Sequence, residues 1–414
     1  MQTYVKPGTR PSNYTKNGFS ILDLDLPLLV AVFVLVVFGL LMVYSASWNY
    51  SLRSDEPVSF ILSRQIIWVI IGTGVAAFLC LLDYRKYIPV VIPMMAVTLL
   101  LLIVVLIIND NPSGPSRTLF RGSVQPSELA KLVVIIYLSV FLAAKGDLLN
   151  NIGFGLVPVA GILALIGSLI LMEPDISAAV TIVILGGLLF FLAGVDLRQI
   201  IIILLIIILF GWGVVTLTPT GSARIESYMG GLQSPENASY HVKRAMEAVV
   251  NGGLFGVGIG KSNTKFTGLP VPWTDSVFAV ISEETGLIGS IFTIALFLVI
   301  LWRGLIISKR APDMLGKLLS AGMTLWICLE AFVNIAVMIN LLPIAGNALP
   351  MISAGGSNMV MSLAAIGIIM SVARTSYKVT QTSERRTQSA VVDLRRRDGR
   401  RRVPRSSRTT GTGE

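Results

Sequence analysis

Ten stretches of nearly unbroken apolar sequence, near residues 26–46, 66–82, 87–108, 129–144, 154–172, 176–193, 200–215, 286–302, 319–339 and 359–373, constrain this chain more than any other feature. A helix needs about 20 apolar residues to cross the hydrocarbon core of a bilayer, fewer where its ends snorkel. In lipid no water satisfies backbone N–H and C=O groups, so such stretches must be helical. The expected fold is therefore all-α, a polytopic membrane protein with about ten transmembrane helices. Only 14% of residues are charged, against about a quarter in a soluble domain. The first stretch is long and follows a polar leader without a clean small-residue cleavage site, which argues against a signal peptide. Cys80 and Cys328 both lie in apolar runs and no CxxC occurs, which argues against a disulfide framework or a cysteine zinc site. With His241 as the single histidine, His–His metal motifs are excluded.

Orientation follows from the Lys and Arg bias. With an even number of spans, both termini share one side, and that side collects 23 of the 33 basic residues. Both termini are expected to be cytoplasmic. The chain then divides into a cytoplasmic segment over 1–24, a ten-span domain over 25–373 and a basic tail over 374–414. The large outer loop runs over 216–285, between spans seven and eight. The tail, with clusters at Arg395–Arg397 and Arg400–Arg402, reads as disordered and suited to anionic lipid. No aromatic platform or folded module supports nucleic-acid binding.

Polar residues at or inside a membrane are costly, so each one calls for a reason. Most fall on the expected outer side. In Gln125-Pro126-Ser127-Glu128-Leu129-Ala130-Lys131, Pro126 suits a first helical turn and Glu128 the positive end of the helix dipole. Glu128 and Lys131 are spaced to pair, and Lys131 enters an apolar span. It is either half of a structural ion pair or a cation held for an anionic ligand. Glu173-Pro174-Asp175 joins spans five and six, with Asp175 placed to cap the sixth or to contribute to a cation site. Glu330 lies inside the ninth span and must face the interior, with Asn334 as a plausible neighbour.

The 216–285 segment holds an amphipathic pattern over 240–251, with Val242, Met246, Val249 and Val250 on one face and Lys243, Arg244 and Glu247 on the other. Gly252-Gly253 then stops the helix. GGLFGVGIGKS at 252–262 departs from a Walker A loop at Phe255, and its side of the membrane excludes cytoplasmic ATP. Its backbone is still suited to an anion nest beside Lys261 and Lys265. Thr274 or Asp275 opens the next helix. Asp275 can serve as a cap or as a base, while Glu283 and Glu284, nearer the hydrocarbon, need partners. The uncharged 340–360 stretch, with Pro343, Pro350, Gly355 and Gly356, cannot be one helix and reads as a re-entrant element.

VYSAS at 43–47, QPSELAK at 125–131, EPD at 173–175, GGLFGVGIGKS…LP…TD…FAVISEETGLIG over 252–289 and NIAVMINLLPIAGNALPMISAGGS at 334–357 occur in one order. Together they resemble the SEDS family (shape, elongation, division and sporulation), which includes RodA, FtsW and SpoVE. The resemblance covers about residues 25–375. It implies a ten-span glycosyltransferase that polymerises lipid II, the undecaprenyl-pyrophosphate-linked disaccharide-pentapeptide, into glycan strands at the outer face. It also implies a class B penicillin-binding protein as partner, alongside other divisome or elongasome proteins. The family's catalytic aspartate falls on Asp275, and a divalent cation, Mg2+ or Mn2+, is expected, with Asp275, Glu283 and Glu284 as candidate ligands. Lys131, Glu128, Lys243, Arg244, Lys261, Lys265 and Ser357 are candidate substrate-binding residues.

Departures from the family pattern are Ser276 where Phe usually follows the aspartate, Val271 in place of Glu, Ala354 within the serine-glycine motif, and Glu330 in place of a neutral polar residue. The tryptophan expected before QPSE is absent from SRTLFRG. VYSAS and the long basic tail point towards the division type. Two other readings stay open: a transporter that flips a lipid-linked precursor, and a non-catalytic scaffold that recruits a synthase.

Overall fold

Each of the ten apolar stretches forms a helix in the structure, a computed structural model. It describes residues 24–53, 57, 59–108, 125–173, 175–217 and 219–397. In chain order the helices are α1 (Leu26–Arg53), α2 (Phe60–Leu81), α3 (Tyr87–Ile108), α4 (Pro126–Lys145), α5 (Leu156–Met172) and α6 (Ile176–Leu192), then α7 (Leu197–Leu217), α8 (Pro219–Gln233), α9 (Tyr240–Gly252), α10 (Val277–Arg310), α11 (Met314–Met338) and α12 (Gly356–Arg397). No strand occurs among the described residues. Seven helices (α1–α4 and α10–α12) are long and apolar enough to cross a membrane, and α5, α6 and α7 are shorter apolar helices. The central helices α4, α11 and α12 are the most buried, whereas α2, α3 and α10 leave much apolar surface outside, as lipid-facing helices do.

The large segment between α7 and α10 contains two helices rather than one. α9 starts where the sequence places it. Ser239 caps it by accepting from Val242 N at 3.3 Å, and Gly253 ends it at φ +53°. Its inward face differs from the expected one: Val242, Ala245 and Ala248 are buried and Val250 is exposed. The two alanines allow close packing on α10, so the helix docks on protein by its small residues.

α10 starts at Val277, with Ser276 at its N-cap position, so neither Thr274 nor Asp275 caps it. Asp275 sits in the turn just before the helix. The 340–355 stretch is irregular, as expected, and its Leu349–Ser353 part is buried. The tail departs from expectation, because α12 continues past the apolar part as far as Arg397. Charge and low hydrophobicity suggested disorder, but no Gly or Pro occurs between 373 and 399 and Arg, Gln, Glu and Ala are good helix formers. Residues 398–414, 1–23 and the SRTLFRG loop lie outside the described residues.

Candidate active site

Asp275 is half-buried in a turn held by its backbone. Asn334 of α11 donates from Nδ2 to the Asp275 carbonyl at 2.9 Å and to the Asn347 carbonyl at 2.6 Å. Ser353 Oγ donates to Thr274 O at 2.7 Å, and Ala354 N donates to Trp273 O at 2.8 Å. Asn334 thus serves the Asp275 turn rather than Glu330. From the other side, Ser276 Oγ donates to Pro270 O at 2.6 Å while lying 2.5 Å from His241 Nε2. With its only proton committed to that carbonyl, Ser276 must accept from His241, so His241 carries its proton on Nε2. Burial holds the His241 pKa below the ordinary histidine value.

A cavity of about 260 Å³ opens beside this turn. Arg64, Gln65 and Trp68 of α2 line one wall, and Trp273, Thr274 and Ala354–Gly356 line the other. Gln65 is buried and ties the walls together: its Nε2 donates to Ser353 O at 3.1 Å, and its Oε1 accepts from Gly355 N at 3.3 Å. The cavity offers a guanidinium, two indoles, an amide and the N-terminus of α12 within one turn of chain from a carboxylate. Sequence reasoning missed this wall. Its signal was Arg64-Gln65 at the start of an apolar span.

Lys131 lies buried between two carboxylates. Its ammonium bonds Glu128 Oε1 at 2.7 Å and also pairs with Glu330 Oε1, with the Trp326 ring centre 5.7 Å away. Asn358 Nδ2 reaches Glu128 Oε2 at 3.5 Å. This triad joins α4, α11 and α12, about one helical turn from Asn334 along α11. Asp175 caps α6 by accepting from Ala178 N at 3.2 Å. It also accepts from Gln125 Nε2 at 2.9 Å and Ser127 Oγ at 3.2 Å, at the start of α4. Ser357 Oγ accepts from Gln125 N at 3.2 Å.

A second polar cluster lies at the far end of the first segment of α10. Glu284 accepts from Lys265 Nζ at 2.7 Å and from Ser45 Oγ at 2.6 and 2.7 Å. The Glu283 carboxylate gathers the Ser262 and Thr264 hydroxyls and the backbone N–H groups of Asn263 and Thr264, at 3.1–3.3 Å for the amides. Among the described residues no group of three or more His, Cys, Asp or Glu side chains is placed to hold a metal. Glu283 and Glu284 therefore do not fit as ligands beside Asp275.

The glycine run does not form an anion nest. At Gly286 α10 breaks, with φ +68° and ψ −163°. Val257 N and Gly258 N donate to Glu283 O and Glu284 O at 2.9 and 3.0 Å. Leu287 N and Ile288 N donate to Gly253 O and Leu254 O at 2.9 and 3.3 Å. The loop thus satisfies the backbone groups that the break exposes. A Cβ on Gly286 would stand 2.4 Å from Gly256 N, and one on Gly256 would stand 2.2 Å from Glu284 O, so only glycine fits either place.

A family model described as "Cell cycle protein", covering FtsW, RodA and SpoVE, matches residues 26–378. The chain belongs to the FtsW, RodA and SpoVE family. It is 33% identical over 358 residues to stage V sporulation protein E of Bacillus subtilis, a match covering 85% of this chain and 97% of that protein. It is also 33% identical over 364 residues to the probable peptidoglycan glycosyltransferase FtsW of Geobacter metallireducens, covering 87% and 97%. Among solved structures, it superposes on a chain of a peptidoglycan synthase complex with a TM-score of 0.69 at 23% identity, covering 86% and 98%. It superposes on Thermus thermophilus RodA with a TM-score of 0.62 at 23% identity, covering 86% and 99%. These two likenesses establish the RodA-like fold, and family membership with the apolar helices makes the chain a multi-pass inner-membrane protein.

Within that fold the sequence's candidate cations separate into two kinds. Lys131 and Lys265 are buried in ion pairs. Lys243 and Lys261 are exposed, and Arg244 pairs with Glu247 at 2.7 Å on the outer face of α9. Ser276, the residue after Asp275, is held between His241 Nε2 and Pro270 O.

Proposed function

We propose that this chain is a peptidoglycan glycosyltransferase. It polymerises lipid II into glycan strands at the outer face of the cytoplasmic membrane, with both termini cytoplasmic. The observation that carries the reading is Asp275, in a turn fixed from three sides, next to a cavity lined by Arg64, Trp68 and Trp273. The Asp275 carboxylate accepts the proton of the attacking sugar hydroxyl, a role that requires reach and a fixed geometry. The indoles suit sugar faces, and Arg64 suits a pyrophosphate, which a guanidinium grips through paired hydrogen bonds. In the alternative role Asp275 would hold a divalent cation, Mg2+ or Mn2+. When bound it would neutralise charge on the departing pyrophosphate.

The relatives named as probable peptidoglycan glycosyltransferases support polymerisation over flipping or scaffolding. The likeness to a chain of a synthase complex supports a class B penicillin-binding protein as partner within a divisome or elongasome. The basic clusters at 395–397 and 400–402 in the sequence suit anionic lipid. The test is Asp275→Asn in a lipid II polymerisation assay, with and without EDTA. The amide keeps shape but accepts no proton, so chain synthesis should fall by about 10²–10⁴-fold with the melting temperature unchanged. Near-normal chains from a folded variant would remove Asp275 from the chemistry. Full activity in EDTA would remove the metal.

A further inference from the structure

The glycine loop has a job that the reaction does not absorb, and its height relative to the bilayer shows what that job is. Two helices measure that height independently. Arg303 of α10 pairs with Asp25 at the start of α1, at 2.6 Å, which marks one face of the membrane. Along α1, Ser45 lies twenty residues beyond Asp25, about 30 Å at 1.5 Å per residue. Along α10, the break at Gly286 lies seventeen residues before Arg303, about 26 Å, and Glu284 is two residues beyond it. Ser45 and Glu284 bond to each other, so the two measures meet at one point. The hydrocarbon core is about 30 Å thick. The Ser45–Glu284–Lys265 cluster therefore sits at its opposite edge, where Tyr44 and Trp48 also stand, exposed and 6.0 Å apart, as interfacial aromatics do.

The loop is hydrogen-bonded to α10 on the hydrocarbon side of that cluster. Its partners Leu287 and Ile288 are exposed on the span's lipid-facing surface, which continues to Ile291. Flush with them, the loop turns out Leu254 (61% exposed), Phe255 (79%) and Ile259 (54%). Its polar groups point the other way, into the Glu283 and Glu284 carbonyls. Such an arrangement suits neither water nor an anion.

We propose that the 253–259 loop is seated in the outer leaflet, with Leu254, Phe255 and Ile259 among lipid acyl chains, and that it fixes the depth of the active site. The occupant is lipid because this surface continues the span's own lipid-facing stripe. Asp275 stands at the other end of the short helical segment that begins at Val277 and closes at the Gly286 break, so the seat of the loop and the active-site turn belong to one segment. The pyrophosphate and sugars of a polyprenyl-linked substrate project from that same leaflet. This second step rests on the function proposed above, and the seating of the loop does not.

The experiment places an environment-sensitive NBD label at Phe255→Cys or Ile259→Cys, in a Cys80→Ala/Cys328→Ala background, with Lys243→Cys as the water-facing reference. The protein is reconstituted in phosphatidylethanolamine–phosphatidylglycerol vesicles. Labels at 255 and 259 should emit to the blue of the reference. They should lose emission to a nitroxide on the upper acyl chain and resist aqueous iodide, with the reverse for 243. Iodide quenching at 255 and 259 equal to that at 243 overturns the proposal. The depth reading needs no catalysis, so it stands or falls apart from the polymerase reading. The depth-setting role is read separately: Phe255→Ser/Ile259→Ser should lose polymer yield in vesicles while keeping its yield in detergent. Equal yields relative to wild type in both media overturn that role.

Discussion

Lys131→Met is the most discriminating substitution, because the structure and the substrate-cation reading of Lys131 lead to opposite results. In the wild type one ammonium serves two buried carboxylates, Glu128 at 2.7 Å and Glu330. Removing it leaves two like charges facing each other away from water. Breaking a buried pair by deleting one partner costs about 3–5 kcal/mol, and here the charge left behind is doubled, so the upper end of that range applies. Glu330→Gln alone should cost no more than about 1 kcal/mol, because Lys131 keeps Glu128 and an amide oxygen still accepts from it. The double variant Lys131→Met/Glu330→Gln should recover about 1–3 kcal/mol of the Lys131→Met loss, a coupling typical of groups in contact. The assay is thermal unfolding in detergent, with lipid II polymerisation measured on the same preparations. Activity should fall in parallel with stability and return in part with the double variant. A Lys131→Met protein with native melting and no polymer would refute the structural role and hand Lys131 to the substrate.

Two further expectations follow from the turn and the break. Gly286→Ala forces a Cβ to within 2.4 Å of Gly256 N and a positive φ on a residue that resists it; the cost should be about 1–3 kcal/mol, read as a lower melting temperature, and an unchanged melting curve would contradict the backbone pairing described here. His241 resists protonation when folded, so its contribution to stability is fully present above the ordinary histidine value near 6.5 and is lost as pH falls through the lowered folded value. His241→Gln keeps an Nε2–H donor for Ser276 but cannot titrate, and it should flatten the fall in melting temperature below pH 6.5. An identical acid limb in wild type and variant would assign that limb elsewhere.

What the sequence made legible was what lipid enforces. Apolar runs of span length have one backbone solution, so all ten stretches are helices in the structure. Pro126 at the first turn of α4 and Gly253 at the end of α9 were equally readable, because each acts on its own backbone. The polar network was not. Ser45 and Glu284 are 239 residues apart, and Lys131 and Glu330 are 199 apart; local spacing suggested Asn334 for Glu330, but the fold carries Asn334 to the Asp275 carbonyl. Glu283 and Glu284 need partners wherever they lie near hydrocarbon, and Lys265 serves Glu284. That loop hydroxyls and amides would saturate Glu283 left no trace in residue type. The glycine run misled for the same reason: its four hydrogen bonds to the break in α10 are all backbone to backbone.

The departures from the family pattern become intelligible once the contacts at the Asp275 turn are sorted by atom. Ala354 contributes its N–H to Trp273 O, a bond that any residue except proline can make, so the side chain at 354 is not needed for the clamp. Ser353 and Asn334 do use their side chains, and both aim at carbonyls, of Thr274 and Asp275. The turn is therefore gripped by its main chain, and its hold does not depend on which side chains project from 271 or 354. Position 276 is the exception. A buried hydroxyl stands there, and it is stable because Pro270 O takes its proton and His241 supplies one in return. Ser276 and His241 thus form one unit. Removing the Ser276 hydroxyl leaves His241 Nε2 without its acceptor, at about 1–3 kcal/mol, and puts that strain on the residue next to Asp275.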